Sequence, residues 1–378
     1  MSTEAPRIRW TEEAAEHTVR WQSEACVPPP KKVVVADDTM TADQAFRLAS
    51  EGTALLWRGD FQNARQLLQA MARRVDKRPR KPAATPRDAF NQHRLAQSQR
   101  ARTLGMLLIP VDAGHVIPLR RAPDVTAACT QAHGEADEPY VMSLRELLGL
   151  IGAYEWRRNG VDIPGLGARI HPHYGVFSPV RGEYVDLVAK APLPTALKTD
   201  STAFDIGTGT GVLSAVLAKR GIARVVATDQ DARALACARD NVERLGITAR
   251  VEVIEADLFP AGRAPLVVCN PPWLPGRPSS PLEYAVYDPD SRMLRGFLAG
   301  LMAHLAPGGE GWLILSDFAE HLGLRAPDEL AGLITAAGLR VTGRLDARPR
   351  HPKAMDRSDP LYAARSKEVT TLWRLVAA

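Results

Sequence analysis

The sequence has little cysteine: its 378 residues include only Cys26, Cys129, Cys237 and Cys269. These four lie far apart, form no Cys-x-x-Cys pair and have no histidine nearby at the spacing of a metal ligand. The pattern argues against a disulfide framework and against a zinc site, and it favours reduced thiols. We therefore predict no metal site.

Long apolar runs are also lacking. No run approaches the roughly 18 consecutive apolar residues of a membrane-spanning helix. The first residues, Met1–Arg7, show no apolar stretch resembling a secretion signal. We therefore expect a cytoplasmic protein without a membrane partner. With 24% charged and 45% hydrophobic residues, the composition is that of a globular protein and excludes a collagen, a coiled coil or wholesale disorder.

The charge is mildly basic, with a formal net charge of +5. Lysine and arginine are concentrated in two segments, residues 73–102 and residues 344–367. Each segment has two interpretations. It contacts the phosphates of a ribosome or another nucleic acid, or it is a solvated face without a partner.

The length and the apolar pattern predict the domain organisation, since 378 residues correspond to roughly two domains of about 150 residues. Residues 1–40 are predicted to be a loosely ordered lead-in. Residues 41–160 carry apolar side chains at helical spacing and are predicted to form a mainly helical accessory domain for substrate recognition. Residues 161–200 are interpreted as a connector and residues 201–378 as the catalytic domain.

From Thr202 onward, short apolar runs alternate with helical segments. Six runs are predicted to be strands, namely residues 203–206, 224–229, 251–254, 266–269, 312–315 and 369–375. Near-continuous apolar strands that alternate with helices indicate a doubly wound α/β fold, in which helices cover both faces of a mostly parallel sheet.

A glycine-rich loop follows the first of these strands. Asp205 lies near the end of this strand, and Gly207, Gly209 and Gly211 stand at alternate positions after it, with Thr208 between the first two. Glycines allow a sharp turn and let a ligand approach the backbone. Loops at the carboxyl ends of strands are where open α/β sheets bind ligands. The sequence therefore predicts a cofactor loop here, with a purely structural tight turn as the alternative.

Acidic residues follow the next two strands. Asp229 stands about where an acid binds ribose hydroxyls in nucleotide-binding folds. Its alternative role is to cap the helix that begins near Asp231. Asp257, after the third strand, is interpreted either as an acceptor for an adenine amino group or as an ordinary turn residue.

Together these residues resemble the class I S-adenosylmethionine-dependent methyltransferases, over about residues 170–378. The resemblance implies a seven-stranded, Rossmann-like sheet and S-adenosylmethionine as the cofactor. It further implies a set of cofactor-binding residues, with the methionine part held near the glycine loop, the ribose at the acid after the second strand and the adenine after the third. The set is Asp205, Gly207, Thr208, Gly209, Gly211, Asp229, Asp257, Leu258 and Asn270.

The sequence Asn270-Pro271-Pro272-Trp273 directly follows the fourth strand. The prolines restrict the backbone, so the Pro271 carbonyl points in a fixed direction. The Asn270 side chain supplies a second acceptor, and two acceptors can orient one planar NH₂ group toward a methyl donor. Trp273 offers a flat face for stacking or for walling the pocket. The pattern predicts catalysis by alignment; the alternative is an ordinary Asn-Pro turn.

An Asn-Pro-Pro-aromatic sequence resembles the motif of N-methyltransferases that act on glutamine amides or on amino groups of nucleobases. Residues 177–184 and 287–291 further resemble segments of the HemK-type protein glutamine methyltransferases. The departures are a tryptophan where that family usually has tyrosine, and residues 41–160, which do not match its helical substrate-binding domain.

Three functions follow. The first is methylation of a glutamine side chain in a translation-related protein, and the second is methylation of an RNA or DNA base; a small-molecule acceptor also stays open. The third is a retired methyltransferase fold that serves as a binding module. The intact set of Asp205, Gly207, Gly209, Asp229 and Asn270 argues against the third, because a scaffold has no need for all of them.

Overall fold

A computed structural model describes residues 5–77, 82–180, 182–278, 281–350 and 352–378. The chain divides into two units, Met1–Ala83 with Asn91–Glu155 and Ala84–Phe90 with Trp156–Ala378. A few residues of the segments discussed above lie outside the described residues, namely Arg78, Pro79, Arg80, Lys81, Arg181 and His351.

The first unit is built around a six-stranded mixed sheet with the order β1-β2-β6-β5-β4-β3. Its strands are β1 (Arg7–Glu12), β2 (Ala15–Gln22), β3 (Lys32–Ala36), β4 (Thr53–Trp57), β5 (Leu107–Val111) and β6 (Tyr140–Ser143). The helices in this part of the chain are α1 (Ala42–Ser50), α2 (Phe61–Asp76), α3 (Pro86–Leu104), α4 (Thr126–His133) and α5 (Leu144–Asn159).

This sheet corrects one prediction and extends another. The described part of residues 1–40 is not a loosely ordered lead-in, because it contributes three strands. Most residues of the segment 41–160 lie in helices, as predicted, but the segment also contributes β4, β5 and β6 to the sheet, which the prediction did not include. The turn from β1 to β2 has positive φ at Glu13 and Ala14, residues without the Asn-Gly pattern that usually announces such a hairpin. The five-residue runs of β4 and β5 are buried throughout, and short apolar runs do not distinguish strand from helix.

The second unit contains a seven-stranded sheet with the order β11-β10-β9-β12-β13-β15-β14 and a separate two-stranded sheet. Its strands are β7 (Val161–Ile163), β8 (Ala168–Ile170), β9 (Thr202–Ile206), β10 (Arg224–Asp229), β11 (Val251–Glu255), β12 (Ala264–Cys269), β13 (Leu305–Ser316), β14 (Leu339–Ala347) and β15 (Thr370–Ala377). Its helices are α6 (Glu183–Lys190), α7 (Val212–Lys219), α8 (Ala232–Arg244), α9 (Arg292–His304), α10 (Phe318–His321), α11 (Glu329–Ala336) and α12 (Tyr362–Arg365).

Two hydrophobic cores explain why these strands form a central layer. Successive residues of a strand point to opposite faces of a sheet. In β9, Ala203 belongs to the core that includes α6 and α7, whereas Phe204 belongs to the core that includes α9 and α11. Val225 and Val226 of β10 divide in the same way. Both faces are therefore covered, as the doubly wound prediction requires, and the seven-stranded, mostly parallel sheet is confirmed.

The last part of the sheet differs in detail from the sequence prediction. β15 pairs antiparallel with β13 and with β14. β14 takes up the first residues of the second basic segment, 344–367. Most of β14 is exposed or half-buried, so it lacks the apolar run that identified the other strands.

The topology places two loops side by side. β9 pairs with β10 on one edge and with β12 on the other, all in parallel. The chain passes from β9 toward β10 and from β12 toward β13, so the sheet has its switch point between β9 and β12. Ligands bind to open α/β sheets at such a point.

Among the described residues, no helix is long and apolar enough to cross a membrane.

Candidate active site

A cavity of about 210 Å³ lies at the carboxyl ends of β9, β10 and β12. It brings together seven of the residues singled out from the sequence, namely Gly207, Thr208, Gly209, Asp229, Leu258, Asn270 and Pro272. The described residues that line it also include Phe177, Tyr184, Tyr284 and Met293, which the sequence did not assign to the site. The cavity therefore joins the glycine loop to the Asn-Pro-Pro-Trp loop.

The glycine loop needs glycine for two physical reasons. Gly207, Gly209 and Gly211 have φ values of 71°, 55° and 79°, in the left-handed region that disfavours residues with a Cβ atom. At Gly207 a Cβ atom would also collide with the terminal methyl group of Met293. Gly211 precedes α7 and packs against Ala238, outside the cavity lining.

Asp205 lies beneath this loop rather than in the cavity lining, which differs from the expected contact with the cofactor. Its Oδ2 accepts hydrogen bonds from Thr208 Oγ1 at 2.7 Å, Ser214 Oγ at 2.6 Å and Ser214 N at 3.0 Å. Burial raises the pKa of the Asp205 carboxyl, and the hydrogen bonds from Ser214 and Thr208 oppose that shift. Asp205 therefore ties the loop to the first turn of α7.

Asp229 lines the cavity at the end of β10. Its Oδ2 accepts from Gly209 N at 3.0 Å, and its Oδ1 accepts from Asp231 N at 3.0 Å. Burial raises the pKa of the Asp229 carboxyl, against the lowering effect of these backbone donors. The alternative that Asp229 caps α8 is wrong, since Asp231 is the cap and accepts from Arg233 N and Ala234 N.

The two residues expected near an adenine take different positions. Leu258 lines the cavity with a left-handed φ of 71°, and its carbonyl accepts from Thr228 Oγ1 at 2.5 Å. Asp257 is exposed, lies 3.7 Å from the Arg292 guanidinium and is not among the residues that line the cavity. The structure thus brings Leu258 into the site and leaves Asp257 outside.

In the Asn-Pro-Pro-Trp loop, Asn270 and Pro272 line the cavity, whereas Pro271 is buried behind it. The indole Nε1 of Trp273 donates a hydrogen bond to Asn270 Oδ1 at 2.9 Å. Trp273 packs against both cores of the unit and is not among the lining residues. The expectation of a flat indole face on the pocket is therefore not met, and the ring contacts Asn270 through its edge.

Distant residues anchor this loop. Leu274 N donates to Val286 O at 3.1 Å, and Asp288 N donates to Leu274 O at 2.9 Å. The buried carboxylate of Asp288 accepts from the backbone N–H groups of Met293 and Leu294 at the start of α9. This explains why residues 287–291 accompany the loop. Sequence reasoning also missed Arg325, whose Nη2 donates to Trp273 O at 3.4 Å, because no local pattern marks a partner 52 residues away.

Aromatic side chains stand at the cavity. Phe177 and Tyr284 line it while remaining 38% and 66% exposed. Tyr184, which also lines it, is buried, and burial raises the pKa of its hydroxyl. The exposed rings offer stacking faces to a planar group that enters from solvent.

Several cations of the two basic segments are paired with carboxylates of the same unit. The pairs are Arg74 with Asp43, Arg100 with Asp76, Arg344 with Asp346 and Arg365 with Asp359. Arg365 is also largely buried, and its guanidinium lies 4.8 Å from the Phe318 ring centroid. These groups therefore already have anionic partners inside the protein.

The cysteines are free thiols, with Cys26 exposed and the other three buried. Within the described ranges, no group of three or more His, Cys, Asp or Glu residues is placed to hold a metal ion.

A Rossmann-like sheet with a glycine loop after β9 and an Asn-Pro-Pro-Trp loop after β12 defines a methyltransferase fold. Residues 167–324 match the family model of the methyltransferase small domain. The chain is 30% identical over 190 residues to the tRNA1(Val) (adenine(37)-N6)-methyltransferase of Shewanella loihica, covering 47% of this chain and 74% of that protein. The chain belongs to this family of S-adenosylmethionine-dependent methyltransferases, which confirms the predicted family and its cofactor.

Two further relatives carry different names. The release factor glutamine methyltransferase of Cereibacter sphaeroides is 34% identical over 167 residues, 40% of this chain and 58% of that protein. The ribosomal protein L11 methyltransferase of Pelotomaculum thermopropionicum is 34% identical over 154 residues, 39% of this chain and 41% of that protein. The chain thus spans only about half the length of these two relatives.

Proposed function

We propose that this protein transfers a methyl group from S-adenosylmethionine to a planar amide or amino nitrogen. One observation carries the proposal: Asn270 and the glycine loop line the same cavity. A methyl donor and an acceptor nitrogen must meet within a few ångströms, and a shared cavity provides that proximity.

The residues present fit the cofactor. Gly207 and Gly209 line the cavity with left-handed φ values, and without Cβ atoms they leave the backbone of the loop open to a ligand. Asp229, Ala256 and Leu258 line the adjoining part of the cavity, where a carboxylate can accept from ribose hydroxyls and an apolar side chain can contact a base. When bound, the cofactor supplies a sulfonium whose methyl group is the one transferred.

Asn270 orients the acceptor in this proposal. An amide oxygen has two lone pairs, and Trp273 Nε1 occupies one of them. The other is left for one N–H of the acceptor, and the Pro271 carbonyl is proposed to take the second N–H. With the cofactor bound, the acceptor lone pair would face the methyl carbon; transfer would exchange the bond from that carbon to sulfur for a bond to nitrogen, and the nitrogen would lose one proton to solvent. Alignment and exclusion of water provide the acceleration.

The proposed first acceptor is a glutamine side chain of a translation-related protein. Support comes from the similarity to the release factor glutamine methyltransferase. Translation components of this kind would also imply a cytoplasmic place of action.

The second candidate acceptor is the exocyclic amino group of an RNA or DNA base. The exposed rings of Phe177 and Tyr284 at the cavity favour it, because stacking on aromatic side chains holds bases taken out of a helix. The relative named for adenine methylation supports it as well. The basic segments 73–102 and 344–367 are proposed as the phosphate contacts of such a substrate.

The test is methyl transfer from tritiated S-adenosylmethionine into a cell lysate, followed by separation of protein, RNA and small molecules. Label in protein that survives RNase treatment supports the glutamine acceptor, and label lost with RNase supports a base. A rise in melting temperature with the cofactor, but no label in any fraction, would favour the retired binding module. Asn270→Ala is the control for transfer by contaminating enzymes.

A further inference from the structure

The guanidinium of Arg325 is buried close to the catalytic loop. The residue is 4% exposed and follows α10. Its Nη2 donates to Trp273 O at 3.4 Å, while Nε and Nη1 are buried and find no hydrogen-bond partner among the described residues. Burying unsatisfied polar groups is costly, so a residue that contributes nothing else would not be expected here.

The charges around Arg325 do not explain its position by ion pairing. Burial lowers the pKa of the guanidinium, and the carboxylates of Glu320, Glu329 and Asp288 act in the opposite direction from a distance. Arg325 also lies just beyond residues 167–324, the segment that matches the family model. Its hydrogen bond to the Trp273 carbonyl is therefore the contact through which we ask what Arg325 does.

Trp273 in turn determines how the Asn270 amide is turned. An indole N–H only donates, whereas a primary amide has an accepting oxygen and a donating NH₂ group of similar shape. With Trp273 Nε1 at 2.9 Å, the oxygen must face the indole, and the opposite orientation would bring two donors together. The indole thus selects one of two orientations related by a half-turn of the amide.

We propose that Arg325 and Trp273 are positioning residues for Asn270: Arg325 holds the Trp273 backbone through its carbonyl, and the Trp273 indole fixes the orientation of the Asn270 amide, with one lone pair of Oδ1 on the indole N–H and the other left for the acceptor. This inference rests on the proposed function, because an oriented oxygen matters only where an N–H group must be bound. Neither residue contacts the reacting atoms.

The consequence concerns turnover rather than cofactor binding. Without the indole N–H, the amide samples both orientations, and one of them presents NH₂ to an acceptor that is itself an NH₂ group. Trp273→Phe should therefore lower kcat about tenfold, since misalignment of a catalytic group has effects of this order or larger. The dissociation constant for S-adenosylmethionine should stay within about twofold.

Trp312→Phe is the matched control. Trp312 is fully buried in β13, and its Nε1 also donates to a side-chain acceptor, Glu310 Oε2 at 3.1 Å. Both substitutions remove one indole N–H and the same volume, but only one of them touches Asn270. Trp312→Phe should lower the melting temperature without a comparable loss of turnover.

The first readout does not depend on activity. In the full-length, isotope-labelled protein, exchange of the Trp273 indole proton with D₂O is followed by NMR, with the Trp312 indole as internal reference. Asn270→Ala should speed exchange at Trp273 about tenfold and leave Trp312 unchanged, because only the first loses its acceptor. Arg325→Met should speed it by a smaller factor, about threefold, and Arg325→Lys by less than Arg325→Met.

The second readout is methyl transfer from tritiated S-adenosylmethionine into the lysate fraction that the unaltered protein labels. Trp273→Phe should reduce the rate, and the same change in an Asn270→Ala background should have no further effect, as expected for residues that act as a unit. Asn270→Asp provides a second diagnostic, because a carboxylate has two accepting oxygens and needs no selected orientation. In that background, Trp273→Phe should lose less activity than in the unaltered protein.

Wild-type turnover in Trp273→Phe, or additive losses in the double variant, would overturn the role of Trp273. Wild-type indole exchange and turnover in Arg325→Met would overturn the role of Arg325. If the unaltered protein labels no fraction, the proposed function fails, while indole exchange in Asn270→Ala still reports whether Asn270 and Trp273 are joined.

Discussion

The glycine loop and the Asn-Pro-Pro-Trp loop lie at neighbouring strand ends, yet they are held in place by different means. The glycine loop is held by Asp205, which accepts from Thr208 and Ser214. It is also held by the end of β10, where the Thr228 carbonyl and the Asp229 carboxylate accept from backbone N–H groups of the loop. The Asn-Pro-Pro-Trp loop is held by Asp288 and Arg325, which both follow it in the chain. The cofactor side is thus supported by the strands that carry it and the acceptor side by residues that follow it in the chain, and the two sets of supporting residues differ. If so, substitutions on the acceptor side should lower kcat, whereas substitutions on the cofactor side should lower the affinity for S-adenosylmethionine or the stability of the fold.

Asn270→Ala is expected to have the largest effect. It removes the side-chain acceptor that lines the cavity, and loss of one aligned hydrogen bond to a reacting group lowers kcat by about 100-fold or more. Affinity for S-adenosylmethionine, measured by calorimetry, should change by less than about twofold. Asn270→Asp keeps an acceptor and should lose less. Equal losses of affinity and turnover would remove the distinction between the two sides.

Gly207→Ala is expected to be the most damaging change on the cofactor side. The new Cβ atom meets the Met293 methyl group, and the residue has a φ of 71°. We expect a loss of about 1–2 kcal/mol in the free energy of unfolding from the left-handed backbone, with a smaller addition because the flexible end of Met293 must move aside. Gly209→Ala is the matched control, because its Cβ atom would meet nothing within 4 Å. Similar losses at both positions would mean that Met293 does not restrict the loop.

Asp229→Ala should weaken binding of S-adenosylmethionine about tenfold, because hydrogen bonds between a carboxylate and hydroxyl groups contribute roughly 1.5–3 kcal/mol before reorganisation. Turnover at saturating cofactor should fall far less. The dissociation constant and kcat are measured on the same preparation. A lower melting temperature with unchanged affinity would instead assign Asp229 to the support of Gly209 alone.

The pH dependence of that affinity is a smaller and more specific expectation. Burial raises the pKa of Asp229 above the ordinary value of 3.8, so protonation sets in at a higher pH than for an exposed aspartate. The ionised form is the better acceptor for hydroxyl groups. Affinity should therefore fall as the pH is lowered through the raised pKa and be constant above it. Asp229→Asn should show a flat profile over the same range.

Asp257→Ala should have the smallest effect. Asp257 is exposed and outside the cavity lining, so affinity for the cofactor should change by less than about twofold, as for most exposed surface positions. A loss as large as that of Asp229→Ala would show that the region around Leu258 rearranges when the cofactor binds.

The same difference determines how much could be predicted from the sequence. The parallel strands β9, β10, β11 and β12 and the positions of Gly207, Asp229 and Asn270 follow from local apolar runs and turn residues. The sequence did not predict that Trp273 contacts Asn270 through its indole N–H instead of facing the cavity, nor that Arg325 binds the Trp273 carbonyl. Both depend on how distant parts of the chain pack around the loop. Asp205 is predicted as a site residue, but its hydrogen bonds with Ser214 under the loop could not be predicted, because Ser214 has no distinctive local pattern.

The first unit was predicted less well for related reasons. Its hairpin between β1 and β2 turns at Glu13 and Ala14, and neither of these residue types is typical of a tight turn. Its sheet also orders strands that are far apart in the chain, with β2 beside β6. Periodicity reports which segments are buried but not which of them pair.

The parallel pairing of β9 with β12 also bears on how such enzymes diversify. The two strands meet in one continuous sheet, yet the loops that leave them have separate supports, so the segment after β12 can be exchanged without rebuilding the segment after β9. A protein with this fold could therefore evolve to methylate a new acceptor molecule through substitutions in the few residues that anchor the segment after β12. Grafting the stretch from Asn270 to Asp288 between homologues, together with its distant arginine, is the corresponding engineering route.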